Sequence, residues 1–189
     1  MALKDDIVKL LTTDTAILKI NFDFDGFLVF PEAYHRDIAS VVNNGKIGVN
    51  LTTSMNPGAG ASYMVTYRQF WVPLRFSTAN AKDASLLIHE ATHAHMDFRV
   101  AGAMPLERSE AIAYLAEAVY REARGLPPIA GEGNFMRTQC HAIAKGILKG
   151  TYKVPPMSVA ALLGTAKNEP HYMELARSQG TTMVYNGLR

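Results

Sequence analysis

Residues 79–124, ANAKDASLLIHEATHAHMDFRVAGAMPLERSEAIAYLAEAVYREAR, decide the fold. Residues 79–101 are rich in Ala, Leu and Ile and contain neither Gly nor Pro, which is typical of a helix. Asn80 can cap the start of that helix, and the Gly and Pro of residues 102–105 end it. Pro105 suits the first turn of a second helix. We therefore predict an αα-hairpin, in which two helices joined by a short turn pack side by side.

The first of these helices carries a pattern of metal-binding and acidic residues. His89, Glu90 and His93 stand in the order H-E-x-x-H. His89 and His93 are four residues apart and share one helix face, where two neutral imidazoles can bind one zinc ion. Glu90 is offset by about 100°, so it can take a proton from a water and return it to a leaving group. We expect neither His95, which points roughly 160° away from His93 on the helix, nor Asp97 to belong to the zinc site.

A catalytic zinc ion takes three protein ligands and leaves one position for water, so a third ligand must come from elsewhere. The hairpin turns the second helix back towards the motif, and that helix carries Glu107, Glu110 and Glu117. Glu110 and Glu117 are seven residues apart and share a face. Helix geometry alone leaves all three acids as candidates.

Residues 89–93 (HEATH) followed by residues 110–114 (EAIAY) resemble the gluzincin branch of the zincin metallopeptidases. The resemblance extends over about residues 60–120. It implies a zinc-dependent peptidase in which the glutamate on the second helix, here Glu110, joins His89 and His93 as a ligand of Zn2+. Glu90 is then the catalytic residue.

Several gluzincin families continue this second segment as E-x-x-A-D, and here Tyr114 stands where the final acid would be. That acid usually accepts a hydrogen bond from the second ring nitrogen of a ligating histidine and so fixes its orientation. Glu117, one turn further along, could take its place. Tyr114 and His141 are candidates for stabilising the transition state, together with Tyr152, His171 and Tyr185. A core role for His141 is the alternative, because it lies on an apolar helix.

The whole chain reads as one α+β domain over residues 1–189, strand-rich at 15–76 and helical at 78–189. The resemblance implies a zincin-like fold with a small mixed sheet packed on the motif helix. Its edge strand would hold an extended peptide by main-chain hydrogen bonds. Residues 61–76 are placed for that strand, either as one strand or as two broken near Pro73. Residues 54–62 are predicted to form a loop.

Composition narrows the function classes. The chain has 189 residues, a net charge of +2 and one cysteine, Cys140. No basic block favours nucleic acid, and no apolar run is long enough for a membrane span. The acidic start of the chain argues against a cleaved signal peptide, so we expect a protein that is cytoplasmic or exported without one.

We expect a peptide or protein as substrate. One alternative function is a zincin-type bacterial toxin or secretion effector, for which an inhibitor or immunity protein would be a further partner. The other alternative is an inactive zincin-like binding module. The intact Glu90 argues against that module, because holding zinc alone does not require it.

Overall fold

The computed structural model describes residues 3–53, 60–100, 102–129 and 134–187, and the fold is α+β as predicted. The helices are α1 (Leu3–Thr13), α2 (Ala39–Asn43), α3 (Ala81–Arg99), α4 (Leu106–Ala123), α5 (Asn134–Leu148), α6 (Pro156–Asn168) and α7 (Pro170–Gln179). The strands are β1 (Phe22–Phe24), β2 (Phe27–Val29), β3 (Gly48–Thr52), β4 (Ser62–Met64), β5 (Gln69–Pro73), β6 (Gly102–Pro105) and β7 (Thr182–Tyr185). A short 3₁₀ helix (Ile17–Lys19) precedes β1, and a π-helical segment (Ala33–Ile38) leads into α2.

The largest sheet that the structure describes is small and mixed, as expected. Strand β5 lies at its centre, parallel to β3 and antiparallel to β4. Residues 61–76 therefore contain two strands, but the predicted break near Pro73 is wrong. The break lies at residues 65–68, in a turn where Arg68 adopts a φ of 52°. Pro73 is the last residue of β5, where the missing N–H disturbs the ladder least.

Strand β4 forms an edge of this sheet and packs against α3. Its central side chain, Tyr63, is buried together with Phe70, its partner on β5. The sheet therefore lies against the helix that carries the H-E-x-x-H pattern. Of the loop predicted just before β4, residues 54–59 lie outside the described residues.

The junction between α3 and α4 differs from the prediction. Residues 102–105 are not a simple turn but strand β6, which pairs antiparallel with β7. Gly102 pairs with Tyr185 and Pro105 with Thr182. Four residues that include Gly and Pro have a low strand propensity, and the partner strand lies beyond α7, so no local pattern indicates this pairing. As a result, β7 lies beside the start of α4.

Helices α3 and α4 form the predicted antiparallel pair. Asn80 caps α3, and its side-chain oxygen accepts hydrogen bonds from two backbone N–H groups of the first turn. Near the end of α3, His93 lies 2.9 Å from Ser109 at the start of α4. Near the start of α3, Ser85 lies 2.8 Å from Arg121 at the end of α4. In this antiparallel arrangement, the motif histidines of α3 face the first turns of α4.

His95 lies on the other side of α3, as the helix geometry predicts. Its buried ring meets Phe27 and Phe30 edge to face, with centroids 5.6 and 5.4 Å away. Its Nε2–H donates to the carbonyl oxygen of Leu28 at 3.3 Å. Burial lowers the pKa of His95 to about 4, so the ring is neutral in the folded protein at neutral pH.

Acidification is expected to destabilise the protein through His95. Its pKa is about 6.5 in the unfolded chain and about 4 when folded, so the unfolded chain binds more protons between these values. The contribution of the neutral ring is complete above pH 6.5 and is lost as the pH falls towards 4. His95→Gln keeps a donor for Leu28 but cannot titrate. Between pH 7 and pH 4.5, wild type should lose about 2 kcal/mol more unfolding free energy than this variant in urea titrations. The same pH dependence in both proteins would contradict the assignment.

Candidate metal centre

Three buried side chains meet between α3 and α4. His89 and His93 project from α3, and Glu110 projects from the second turn of α4. The Nε2 atoms of the two histidines are 3.2 Å apart. Glu110 Oε2 lies 3.5 Å from His89 Nε2, and its Oε1 lies 3.4 Å from His93 Nε2. Within the described ranges, these residues form a group whose ligand atoms are close enough to hold one metal ion.

The spacing of these atoms fits a tetrahedral ion. Ligand atoms that lie about 2.0–2.1 Å from a tetrahedral zinc are about 3.4 Å from one another. The two Nε2 atoms are 3.2 Å apart, and each lies near a different oxygen of Glu110, at 3.5 Å for His89 and 3.4 Å for His93. With a single ligand atom from each residue, all three atoms lie within 4.8 Å of one another, so a small shift of the carboxylate brings one oxygen to this spacing. Two imidazole nitrogens and one carboxylate oxygen are also a donor set that leaves one coordination position open for water. The residues present therefore fit a bound metal ion.

The electrostatics of the site favour a positive charge between the two helices. Burial alone would lower the pKa of His89, but the carboxylates of Glu110 and Glu117 outweigh burial and raise it to about 10. Without a cation, the imidazole itself thus takes up a proton. A bound metal ion would replace that proton and face the same carboxylates.

Glu90 lies beside the histidines, as its offset on the helix predicts. It is half-buried, whereas His89 and His93 are only 7% and 6% exposed. The backbone N–H of Tyr63 on strand β4 donates to Glu90 Oε2 at 2.6 Å. Burial raises the pKa of Glu90 to about 7, with Glu110 and Glu117 adding to the rise and His89 and the Tyr63 N–H opposing it. A carboxylate with a pKa near 7 suits a general base at neutral pH.

The structure places the other two acids of α4 differently. Glu117 Oε2 lies 3.6 Å from His89 Nδ1, on the side of the ring that faces away from Glu110. Its other oxygen lies 3.4 Å from Arg137 Nε. Glu117 therefore faces the ring nitrogen of His89 that points away from the candidate metal position. This is the place that we predicted for Glu117, as a substitute for the final acid of E-x-x-A-D, which would be one turn earlier in the helix. Glu107 instead contacts Lys167 at 3.1 Å and is not brought to the histidines.

Tyr114 stands one turn beyond Glu110 and forms a wall of the site. Its ring meets the ring of His89 edge to face, with centroids 4.7 Å apart. The guanidinium of Arg137 lies over the Tyr114 ring, 5.0 Å from its centroid. Tyr114 is thus positioned to fix the orientation of His89. Its predicted role at the transition state stays a prediction.

Two of the remaining candidates for stabilising the transition state, His141 and Tyr152, are not part of this group of side chains. His141 forms an ion-pair contact with Glu122, 2.5 Å away, and is not brought to the histidines of the motif. Glu122 lies twelve residues beyond Glu110 on α4, which corresponds to about 18 Å along the helix axis. Tyr152 is exposed and its backbone contacts β1, while the side chain of His171 lies outside the described residues.

Sequence reasoning missed one neighbour of the site, Ser109, and considered another, Tyr185, in a different role. Ser109 Oγ lies 2.9 Å from His93 Nδ1 and 2.6 Å from the hydroxyl of Tyr185 on β7. The local signal that could have pointed to Ser109 was its place directly before the predicted ligand Glu110, in the part of α4 that faces α3. Tyr185 had been considered only for the transition state, and nothing in its own segment indicates contact with α4.

Asp97 was not expected to belong to the zinc site, and it is not among the candidate ligands. It instead links three segments that surround the site. Its Oδ2 accepts a 2.8 Å hydrogen bond from the hydroxyl of Tyr63 on β4. Its Oδ1 accepts from the backbone N–H groups of Asn186 and Gly187, at 2.8 and 3.1 Å. The buried carboxylate thus joins the edge strand, α3 and the segment after β7.

Comparisons with protein-family models, with curated proteins and with solved structures gave no match to this chain. None of the helices within the described ranges is long and apolar enough to cross a membrane. The geometry of the site is therefore the basis on which a function can be assigned to this chain.

Proposed function

We propose that this chain is a zinc-dependent hydrolase that acts as a peptidase, with a zincin-like fold of the gluzincin type. The observation that carries the proposal is the meeting of His89, His93 and Glu110, which offer ligand atoms within 4.8 Å of one another, with Glu90 beside them. The antiparallel helix pair and the small mixed sheet against α3 support it. Glu90 is not among the three candidate ligands, and a second acid at such a site suits catalysis better than metal retention alone.

In this proposal, the three candidate ligands and Glu90 have different roles. His89, His93 and Glu110 would hold zinc, which when bound supplies a Lewis acid and an acidified water. Glu90 takes the proton of the attacking water and delivers it to the leaving nitrogen of the amide. Its Oε2 is held by the Tyr63 N–H, so we assign the proton to Oε1.

An extended peptide is the substrate class that the surroundings favour. Strand β4 is an edge of its sheet and lies against α3, and its central backbone N–H contacts the catalytic carboxylate. A peptide that adds to this edge by main-chain hydrogen bonds would bring an amide bond close to Glu90.

Zinc content tests the ligand assignment. Wild type is expected to retain about one zinc per chain after purification and dialysis, measured by atomic emission, because three protein ligands suffice for a stable site. His93→Ala should lose the metal. The matched control is His95→Gln, which removes a buried histidine from the same helix but outside the candidate group, and it should retain zinc as wild type does. Wild type without zinc, or zinc retained by His93→Ala, contradicts the assignment.

A further inference from the structure

A row of buried hydrogen bonds starts at the second ring nitrogen of His93. His93 Nδ1 lies 2.9 Å from Ser109 Oγ, and Ser109 Oγ lies 2.6 Å from the Tyr185 hydroxyl. The Tyr185 hydroxyl donates to the sulfur of Met96 at 3.3 Å. All four residues are buried. The row passes from α3 to α4, then to β7, and returns to α3.

The sulfur at the far end gives this row a direction. A thioether can accept a hydrogen bond but cannot donate one, so Tyr185 donates to Met96. The oxygen of Tyr185 is then free to accept the hydroxyl proton of Ser109. Ser109 Oγ in turn accepts from an Nδ1–H of His93. If donor and acceptor were exchanged in every hydrogen bond of the row, Met96 would lose its hydrogen bond. The proton of His93 would then lie on Nε2, facing His89 and Glu110.

We propose that Ser109 and Tyr185 are positioning residues that hold His93 as the Nδ1–H tautomer and so keep its Nε2 lone pair available to a metal ion. This inference rests on the proposed function, because it assumes that His93 is a ligand. Hydrogen bonding at the other nitrogen is the general means by which proteins fix the tautomer and ring orientation of a ligating histidine.

The two candidate histidine ligands differ in how they are supported. His89 Nδ1 faces the carboxylate of Glu117, at 3.6 Å. His93 Nδ1 faces a neutral hydroxyl, which cannot fix the tautomer by charge and depends on its own partner, Tyr185. The assignment therefore makes β7 a part of the metal centre.

The position of Tyr185 is itself fixed from two sides. Its backbone pairs with Gly102 in the β6–β7 ladder. The next two backbone N–H groups, those of Asn186 and Gly187, donate to the buried carboxylate of Asp97. These contacts keep the Tyr185 hydroxyl within hydrogen-bond distance of Ser109 Oγ.

Zinc affinity in competition with a chromophoric chelator tests the proposal. Ser109→Ala should weaken zinc binding about tenfold or more, the range expected when the partner of a ligating histidine is removed. Tyr185→Phe, which removes one oxygen atom, should weaken it several-fold. The double variant should bind about as weakly as Ser109→Ala alone, because both hydroxyls act through one row. Val184→Ala, on the exposed side of the same strand, is the matched control and should bind as wild type does.

A second measurement separates positioning from general loosening of the fold. In metal-free wild type, the ¹⁵N shifts of the His93 ring should show a protonated Nδ1 and an unprotonated Nε2. Tyr185→Phe and Ser109→Ala should shift this ring towards a mixture of tautomers, and Ser109→Thr, which keeps the hydroxyl, should restore Nδ1–H. If Ser109→Ala does not fold, Tyr185→Phe carries the test. Wild-type zinc affinity and tautomer in both variants overturn the inference and leave the proposed function intact, whereas a wild type that binds no zinc removes both.

Discussion

Glu90→Gln is expected to reduce the rate of peptide hydrolysis by at least about 10²-fold while zinc remains bound. General acid–base groups contribute roughly 10²–10⁴-fold, and the amide of glutamine cannot take a proton from water. Glutamine keeps the shape of the side chain, and its carbonyl oxygen can still accept the hydrogen bond that Tyr63 donates to Glu90. The metal should stay because Glu90 is not one of the three candidate ligands.

The measurement is cleavage of a mixture of unstructured peptides, followed by mass spectrometry, on samples with equal zinc content. Glu32→Gln is the matched control: it makes the same chemical change at an exposed position outside the site, and its rate should equal that of wild type. Hydrolysis by Glu90→Gln at the wild-type rate would show that the proposed mechanism is wrong.

Asp97→Ala is expected to be the most destabilising single substitution near the site, at about 3–5 kcal/mol of unfolding free energy. Asp97 is fully buried and accepts hydrogen bonds from Tyr63, Asn186 and Gly187. Alanine would leave the buried Tyr63 hydroxyl and two part-buried backbone N–H groups without this acceptor. A buried donor that loses its acceptor costs about 1–3 kcal/mol, and the two part-buried donors cost about 1 kcal/mol each, at the lower end of that range.

Asp97→Asn separates this loss from the loss of charge. Its side-chain oxygen can keep the two backbone donors, and its amide can donate to the Tyr63 hydroxyl, which rotates to accept. We therefore expect less than about 1 kcal/mol of destabilisation for this variant, compared with Asp97→Ala in urea unfolding. Equal losses for the two variants would mean that charge, and not hydrogen bonding, accounts for the effect.

The parts of the site that could be predicted are those fixed by local helix geometry. The spacing of His89 and His93 places both on one face of α3, and the offset of Glu90 places it beside them. The same geometry turns His95 away from His93 and out of the candidate site. These relations depend on residues within one helix, so the sequence pattern contains them.

The parts that could not be predicted depend on pairings between distant segments. Strand β6 looked like a turn because its stability comes from β7 and not from its own residues. The contact of Ser109 with Tyr185 follows from that pairing. His141 shows the same limit: its apolar helix indicated burial, but the partner that it meets, Glu122, is set by how α5 packs on α4.

The pairing of β6 with β7 also has a consequence for the order of events during protein synthesis. The segments that contain His89, His93 and Glu110 are translated before α5, α6 and α7, and β7 follows all of them. Domains tend to fold as they emerge, and contacts between distant segments form late. The nascent chain can thus bring the two helices together early, but the last strand reaches them only after the rest of the described chain has been translated. We expect the newly made protein to pass through a stage in which the helix pair exists and the metal centre is still unfinished.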